Sequence, residues 1–283
     1  MHAHSYTVDM RVEHARLASV YSEHGFVVAR NLLPLERIET CRGELLRLVQ
    51  RRLELLGRQS PTRDLDKAFD YLCDIDRSHG GEIYRVATDL PGYQQLVFDS
   101  GLTATVKSLM ATELIQLPFH NSNLRIDRPS EDQYLFDWHQ DYTFNLLSKN
   151  AVTAVIPLSD ISPDMGALCV VPGSHRKIAE VAVNAPDFSS GHGGGGYIFT
   201  LHHPRDELEE RAVCLPLHEG DVLLLHCLLI HRSGHNRSRR NRWTINPRYS
   251  DFLDEKLVAR GWARGIQPGR VLFGDVHPDK VVK

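Results

Sequence analysis

The sequence predicts a mainly β protein flanked by α-helices, and three observations carry that reading. Helical periodicity dominates to about residue 113. Short apolar runs replace it between about 114 and 250. Gly, Pro and Asn punctuate those runs at the spacing of a sandwich or barrel. At 283 residues, 42% hydrophobic and 24% charged, the chain can bury a sizeable core. Residues 1–283 therefore read as a single domain: a helical part (about 1–113), a strand-rich core (about 114–250) and a C-terminal extension (251–283).

A helical pattern runs from Arg11 to His24 and stops at Gly25, before the strand-like Phe26-Val27-Val28. Pro34 stands at a first helical position, and Ile38, Cys41, Leu45, Leu48 and Val49 keep a helical period that ends before Gly57. Residues 58–83 are polar, with weak helix signals. A further helix is expected from Tyr93 to Ala111. The expected strands are Leu114–Leu117, Ser122–Ile126, Tyr134–Asp141, Ala151–Leu158, Ala167–Val171, Val213–Leu217, Val222–His231 and Trp243–Tyr249. The glycine-rich run 190–196 lacks the Gly-Lys-Ser/Thr of a phosphate loop and reads as a surface loop, with a lid as the alternative.

Composition excludes several functions. A formal net charge of −3 with no basic stripe argues against nucleic acid, and no apolar run reaches membrane-spanning length. The five cysteines form no Cys-x-x-Cys pair, and Cys169 and Cys227 sit in apolar runs, so free buried thiols in a reducing, cytoplasmic setting are expected. No secretory leader pattern is visible, and the protein is expected to be a monomer or homodimer.

The chemistry concentrates in Trp138-His139-Gln140-Asp141. On a strand, residues two apart share a face, so His139 and Asp141 would address one point, where a metal could sit. A second histidine from a distant strand would complete a two-His-one-carboxylate triad with open metal positions, as non-haem Fe(II) oxygenases use. His226 and His231 compete for that role from opposite faces of one expected strand, and His231 is chosen for its place at the strand's end. Beyond it, Arg242, Thr244 and Asn246 share a face. An arginine pointing into a barrel needs an anion, and its fork suits a carboxylate. Arg240 and Arg248 read as surface arginines.

Several motifs in order resemble the phytanoyl-CoA dioxygenase family of Fe(II)- and 2-oxoglutarate-dependent oxygenases. They are His139-Gln140-Asp141; Asp164-Met165-Gly166-Ala167-Leu168 with Pro172-Gly173-Ser174-His175; His231-Arg232-Ser233-Gly234-His235-Asn236-Arg237-Ser238; and Arg242. The resemblance begins near residue 17, with Glu23-His24-Gly25-Phe26-Val27-Val28 and Asn31-Leu32-Leu33, and extends to about 250. It implies a double-stranded β-helix, the cupin-like jelly roll of two sheets. It also implies His139, Asp141 and His231 as iron ligands, and Arg242 with Ser233 on the distal carboxylate of 2-oxoglutarate. Dioxygen would be the second cosubstrate, with succinate and carbon dioxide released. A carboxylate at 141, where related halogenases have a small residue, implies hydroxylation or a similar oxidation. Val155 departs from the pattern, falling where some members carry tryptophan near the cosubstrate.

Candidate substrate residues are Asn121, Asn123, Arg125, Trp138, Tyr142 and Asn246, a polar set that suits a small polar metabolite, such as one of secondary metabolism. His175 reads as a turn or rim residue. Two other readings stand beside this one: a peptide or protein hydroxylase on the same scaffold, and a non-catalytic metal-binding jelly roll.

Overall fold

The computed structural model describes residues 3–117, 122–183, 199–263 and 272–282. The chain runs β1 (Thr7–Asp9), α1 (Leu17–His24), β2 (Phe26–Arg30), α2 (Leu35–Leu55), α3 (Leu65–Ile75), α4 (Arg77–Val86), α5 (Pro91–Val97) and α6 (Ser100–Met110). Next come β3 (Ile115–Gln116), β4 (Asn123–Asp127), α7 (Asp141–Asn145), β5 (Ala151–Pro157), β6 (Leu168–Val170), β7 (Val181–Val183), β8 (Phe199–Leu201), α8 (Arg205–Arg211) and β9 (Val213–Leu215). It closes with β10 (Val222–His226), β11 (His231–Arg232), β12 (Arg242–Asn246), β13 (Arg248–Asp251), α9 (Glu255–Ala259), α10 (Phe273–Val276) and β14 (Val281–Val282). Among the described residues, no helix is long and apolar enough to cross a membrane.

The large sheet has the order β1-β2-β10-β5-β12-β4, with β13 pairing β5 and β3. Its pairings are antiparallel except β1 with β2. A three-stranded sheet, β11-β6-β9, covers one face, giving the jelly-roll layering without a closed barrel. Strand alternation sorts the apolar residues into two cores. Val27, Ala29, Val152, Ala154, Ile156, Val222, Leu224, Trp243 and Ile245 face the N-terminal helices. Phe26, Val28, Val155, Leu223 and Leu225 face the small sheet and meet Val170, Leu215 and Leu217. The unbroken apolar run of β10 therefore reflects a strand buried on both sides. On the helical side, α2 buries Ile38, Cys41, Leu45, Val49 and Leu53, a stripe of three- and four-residue steps. Each large aliphatic side chain there contributes roughly 1.5–3 kcal/mol.

Local chemistry changes several expected boundaries. Pro34 is the residue before α2 rather than its first turn. The weak helical stretch 58–83 forms two helices, because Asp64 accepts from the Lys67 amide and Asp76 from the Ser78 amide. The expected helix 93–111 is split at Asp99, which caps α6 through the Gly101 and Leu102 amides.

Two corrections bear on the site. Tyr134–Asp141 is not a strand: Tyr134 closes a 3-10 turn, His139 makes an isolated bridge, and Asp141 opens α7. The expected strand 222–231 is two strands in different sheets. β10 ends at His226, a turn closed by the Leu229 amide on the His226 carbonyl follows, and β11 starts at His231. Strands and turn are all apolar because all are enclosed. The thiol expectation also fails for one pair. Cys169 and Cys214 stand directly opposite in the β6–β9 register and are disulfide-bonded, whereas Cys41, Cys73 and Cys227 are free and buried. Spacing along the chain carries no sign of that register. The glycine run 190–196 lies outside the described residues.

Candidate active site

The site sits between the two sheets. His139 and His231 are joined backbone to backbone, each amide donating to the other's carbonyl at 3.0 Å, so their rings lie 4.2 Å apart between centroids. Gln140 holds the extended backbone between His139 and Asp141. Its buried amide donates to the Lys177 and Leu228 carbonyls and accepts from the Ala179 amide. With Gln140 anchored on one side, His139 and Asp141 project together on the other. This arrangement achieves what a regular strand would have done. Candidate donor atoms of His139, Asp141 and His231 lie within 4.8 Å of one another.

The imidazoles are oriented for metal binding. Nδ1 of His139 lies 2.7 Å from the Asp137 carbonyl and Nδ1 of His231 lies 2.9 Å from the Leu229 carbonyl. A carbonyl only accepts, so each Nδ1 carries the proton and each Nε2 keeps its lone pair for a metal. Burial, reinforced by the neighbouring His139, lowers the His231 pKa to about 4 and keeps the ring neutral. Burial alone would raise the Asp141 pKa. The Arg248 charge outweighs it and holds the carboxyl well below its usual range. Thr153 donates to Asp141 Oδ2 at 2.6 Å, and Arg248 Nε donates to the same oxygen at 3.1 Å. Two imidazoles and one carboxylate with open positions fit Fe(II).

A cavity of about 230 Å³ opens beside the triad, lined among others by Asn123, Arg125, Ser233, Arg242, Asn246 and Arg248. Arg242 is buried and binds Asp127 Oδ2 through Nε at 3.2 Å and Nη2 at 2.8 Å. Arg125 Nη2 holds the other carboxylate oxygen at 2.5 Å. Burial alone would raise the Asp127 pKa, yet the two guanidiniums keep the carboxyl ionised far below its usual range. Arg242 and the mostly buried Arg125 thus bind one carboxylate at the cavity wall, and a guanidinium fork there suits a further carboxylate. The Ser233 hydroxyl accepts from the Phe136 amide, which leaves its own proton available to donate. Ser233 reaches this wall because Gly234 and Gly166 touch backbone to backbone. A Cβ on Gly166, whose φ is +77°, would sit 2.5 Å from the Gly234 carbonyl oxygen.

Of the candidate substrate residues, Asn123, Arg125 and Asn246 line the cavity. Trp138 does not: it packs with Val171, Leu208 and Ile230, and its indole donates to Glu209. Tyr142 also turns away, its hydroxyl 3.1 Å from His277 Nε2 and its ring against Phe273. Both flank a motif that is not a strand, so adjacency in sequence does not give them its face. Asn121 lies outside the described residues. His226 belongs elsewhere, near Tyr21 and His175. His175 contacts the Ser22 carbonyl, away from the triad.

Arg248 is the main correction. It is not a surface arginine but the ion-pair partner of Asp141, its side chain 18% exposed. Its signal was present in the pattern 242, 244, 246, 248. The register with β5 runs unbroken past Pro247, so Arg248 keeps the cavity face. Thr153 and Asp127 were likewise missed, although Asp127 lies two residues after Arg125 on β4.

Known proteins show the same arrangement of sequence and fold. The family model described as phytanoyl-CoA dioxygenase (PhyH) matches residues 21–244. Human peroxisomal phytanoyl-CoA dioxygenase is 27% identical over 266 residues, covering 89% of this chain and 73% of that protein. The 1-deoxypentalenic acid 11-beta-hydroxylase of Streptomyces exfoliatus is 27% identical over 228 residues, covering 77% of this chain and 73% of that one. Among solved structures, the epimerase SnoN in complex with Fe3+, alpha ketoglutarate and nogalamycin RO has a TM-score of 0.55 at 20% identity, covering 84% of this chain and 83% of SnoN. The non-heme alpha ketoglutarate dependent carbocyclase SnoK also has a TM-score of 0.55, at 19% identity, covering 94% of this chain and 96% of its own. At that identity the solved structures bear on fold alone, and they agree with the two-sheet layering. With the family model spanning most of its length and a triad that could hold iron, the chain belongs to the phytanoyl-CoA dioxygenase family and is a non-haem Fe(II)- and 2-oxoglutarate-dependent oxygenase.

Proposed function

We propose that the protein hydroxylates a small polar metabolite, with release of succinate and carbon dioxide from 2-oxoglutarate. In this reading His139, Asp141 and His231 hold the iron, and Arg242 with Ser233 holds the distal carboxylate of the cosubstrate. The observation that carries it is the buried guanidinium of Arg242, held by Asp127 and lining the cavity beside the triad together with Ser233. Its planar fork suits the distal carboxylate of the cosubstrate.

Iron and 2-oxoglutarate, when bound, supply the oxidising power for attack on an unactivated C–H bond. The chain's own residues do the remaining work. The Asp137 and Leu229 carbonyls fix the tautomers of His139 and His231. Thr153 and Arg248 hold the orientation of Asp141. Phe136 and Phe144, each with its ring 5.8 Å from that of His139, give the triad apolar neighbours. Asn246 Oδ1, buried and without a hydrogen-bond partner among the described residues, is placed to accept from a substrate hydroxyl or N–H. The cavity volume of about 230 Å³ and these polar groups favour a metabolite over a peptide segment.

The test is anaerobic titration with Fe(II) and 2-oxoglutarate, reading the visible charge-transfer band of the chelate, followed by a metabolite screen for succinate release. His139→Ala should lose the band and all succinate formation. Substrate-dependent succinate formation that persisted in that variant would falsify the ligand assignment.

A further inference from the structure

A second cavity, about 600 Å³, adjoins the metal cavity on the helix side. The two share Asn123, Arg125 and Phe136, with the Arg125 guanidinium 4.4 Å from the Phe136 ring centre. Its other walls come from α4, β4 and Phe69 of α3, together with Tyr134. Its lining includes the aromatic and apolar side chains Phe69, Tyr84, Ile126, Tyr134 and Phe136.

Two features of α4 suggest what the chamber accepts. Gly80 and Gly81 are consecutive inside the helix, where glycine lowers stability relative to alanine. Gly80 has a packing reason: a Cβ there would lie 2.7 Å from Cys73 Sγ and 2.8 Å from Arg77 Nη1. Gly81 has none, since a Cβ would meet only Arg85 Nη1, at 3.9 Å. Its missing side chain keeps the chamber open. The second feature is charge. Arg77 is paired with Glu131 and Arg125 with Asp127. Arg85, a solvent-exposed residue, lines the same chamber and has no ion pair or hydrogen bond among the described residues.

We propose that this chamber is the binding site for the body of the substrate, an organic carboxylate with a ring-sized apolar frame. The frame would lie against the aromatic side chains, the carboxylate would meet Arg85, and the reacting end would point to the wall of Asn123, Arg125 and Phe136 that the two cavities share. The volume lies within the usual range for small-molecule sites. Calling the ligand a substrate rests on the proposed function, but the binding site itself does not.

Two fluorescent probes of equal size test it: 2-anthracenecarboxylate and the neutral 2-(hydroxymethyl)anthracene. Binding is read by fluorescence anisotropy on the full chain with Mn(II) and saturating 2-oxoglutarate, so that the carboxylate cannot enter at Arg242. Wild type and Gly81→Ala should bind both probes. Gly81→Phe, and Gly81→Met as a smaller plug, should weaken both at least tenfold. Arg85→Gln should weaken the carboxylate about tenfold and leave the alcohol unchanged. The proposal is overturned if wild type does not bind the carboxylate, if both plugging variants bind normally, or if Arg85→Gln fails to separate the probes. Repeating the titration without metal and 2-oxoglutarate, in an Arg242→Leu background, separates failure of the chamber from failure of the iron site.

Discussion

Replacing Arg248 by methionine removes the counter-ion of Asp141 while keeping much of its volume. The Asp141 side chain is 4% exposed and that of Arg248 18%, so the pair is largely desolvated. Stranding one member of such a pair costs roughly 3–5 kcal/mol. Thr153 still donates to the carboxylate, and the residual exposure of Arg248 admits some solvent, so the low end applies, about 3 kcal/mol. For a chain of this length, that corresponds to a fall in melting temperature of about 6 °C in metal-free protein. A bound divalent cation supplies the missing positive charge at the same carboxylate, so the loss should shrink by more than half in saturating Mn(II). The assay is thermal unfolding of wild type, Arg248→Met and Arg248→Lys, each with and without Mn(II). Lysine should restore most of the metal-free stability. Equal losses with and without metal would show that Arg248 serves packing alone. A larger loss with metal would show that orienting Asp141 for the metal outweighs charge compensation, and the reasoning would be refuted.

Three further outcomes follow from the same geometry. Arg242→Leu should weaken 2-oxoglutarate binding about 100-fold in the anaerobic titration, the scale of a buried charge-assisted pair, with Ser233→Ala several-fold weaker; unchanged affinity in Arg242→Leu would remove it as the distal anchor. Burial, with the nearby His175, lowers the His226 pKa to about 4 from an ordinary value near 6.5. Its neutral form is thus favoured in the fold: nothing is lost above pH 6.5, and stability falls as the pH drops from 6.5 toward 4, by up to about 3 kcal/mol. His226→Gln should flatten that acid limb in denaturant melts at stepped pH, and an unaltered limb would contradict the assignment. For the disulfide, three thiols rather than five should react in denaturant before reduction. Reduction should cost on the order of 2–4 kcal/mol, and five reactive thiols in unreduced protein would disprove the Cys169–Cys214 bond.

The sequence alone carried the division into a helical N-terminal part and a strand-rich core, the candidate ligands His139, Asp141 and His231 through their motifs, and the alternation from Arg242 to Asn246. These features are local. Helical and strand periods, and motifs carried within a few residues, follow from backbone geometry that neighbouring residues already specify. Tertiary structure alone decided what depends on residues distant in the chain. Asp141 shares a side with His139 because Gln140 is anchored to Lys177, Leu228 and Ala179, not because the segment is a strand. His231 reaches the metal point because the chain changes sheets after His226. Trp138 and Tyr142 leave the cavity for cores built by α8 and α10. Arg248 becomes a partner of Asp141 only because β13 pairs with β5 in an unbroken register, which places it beside Thr153. A buried charge is assigned its role by the charge it meets, and that partner lies 107 residues away.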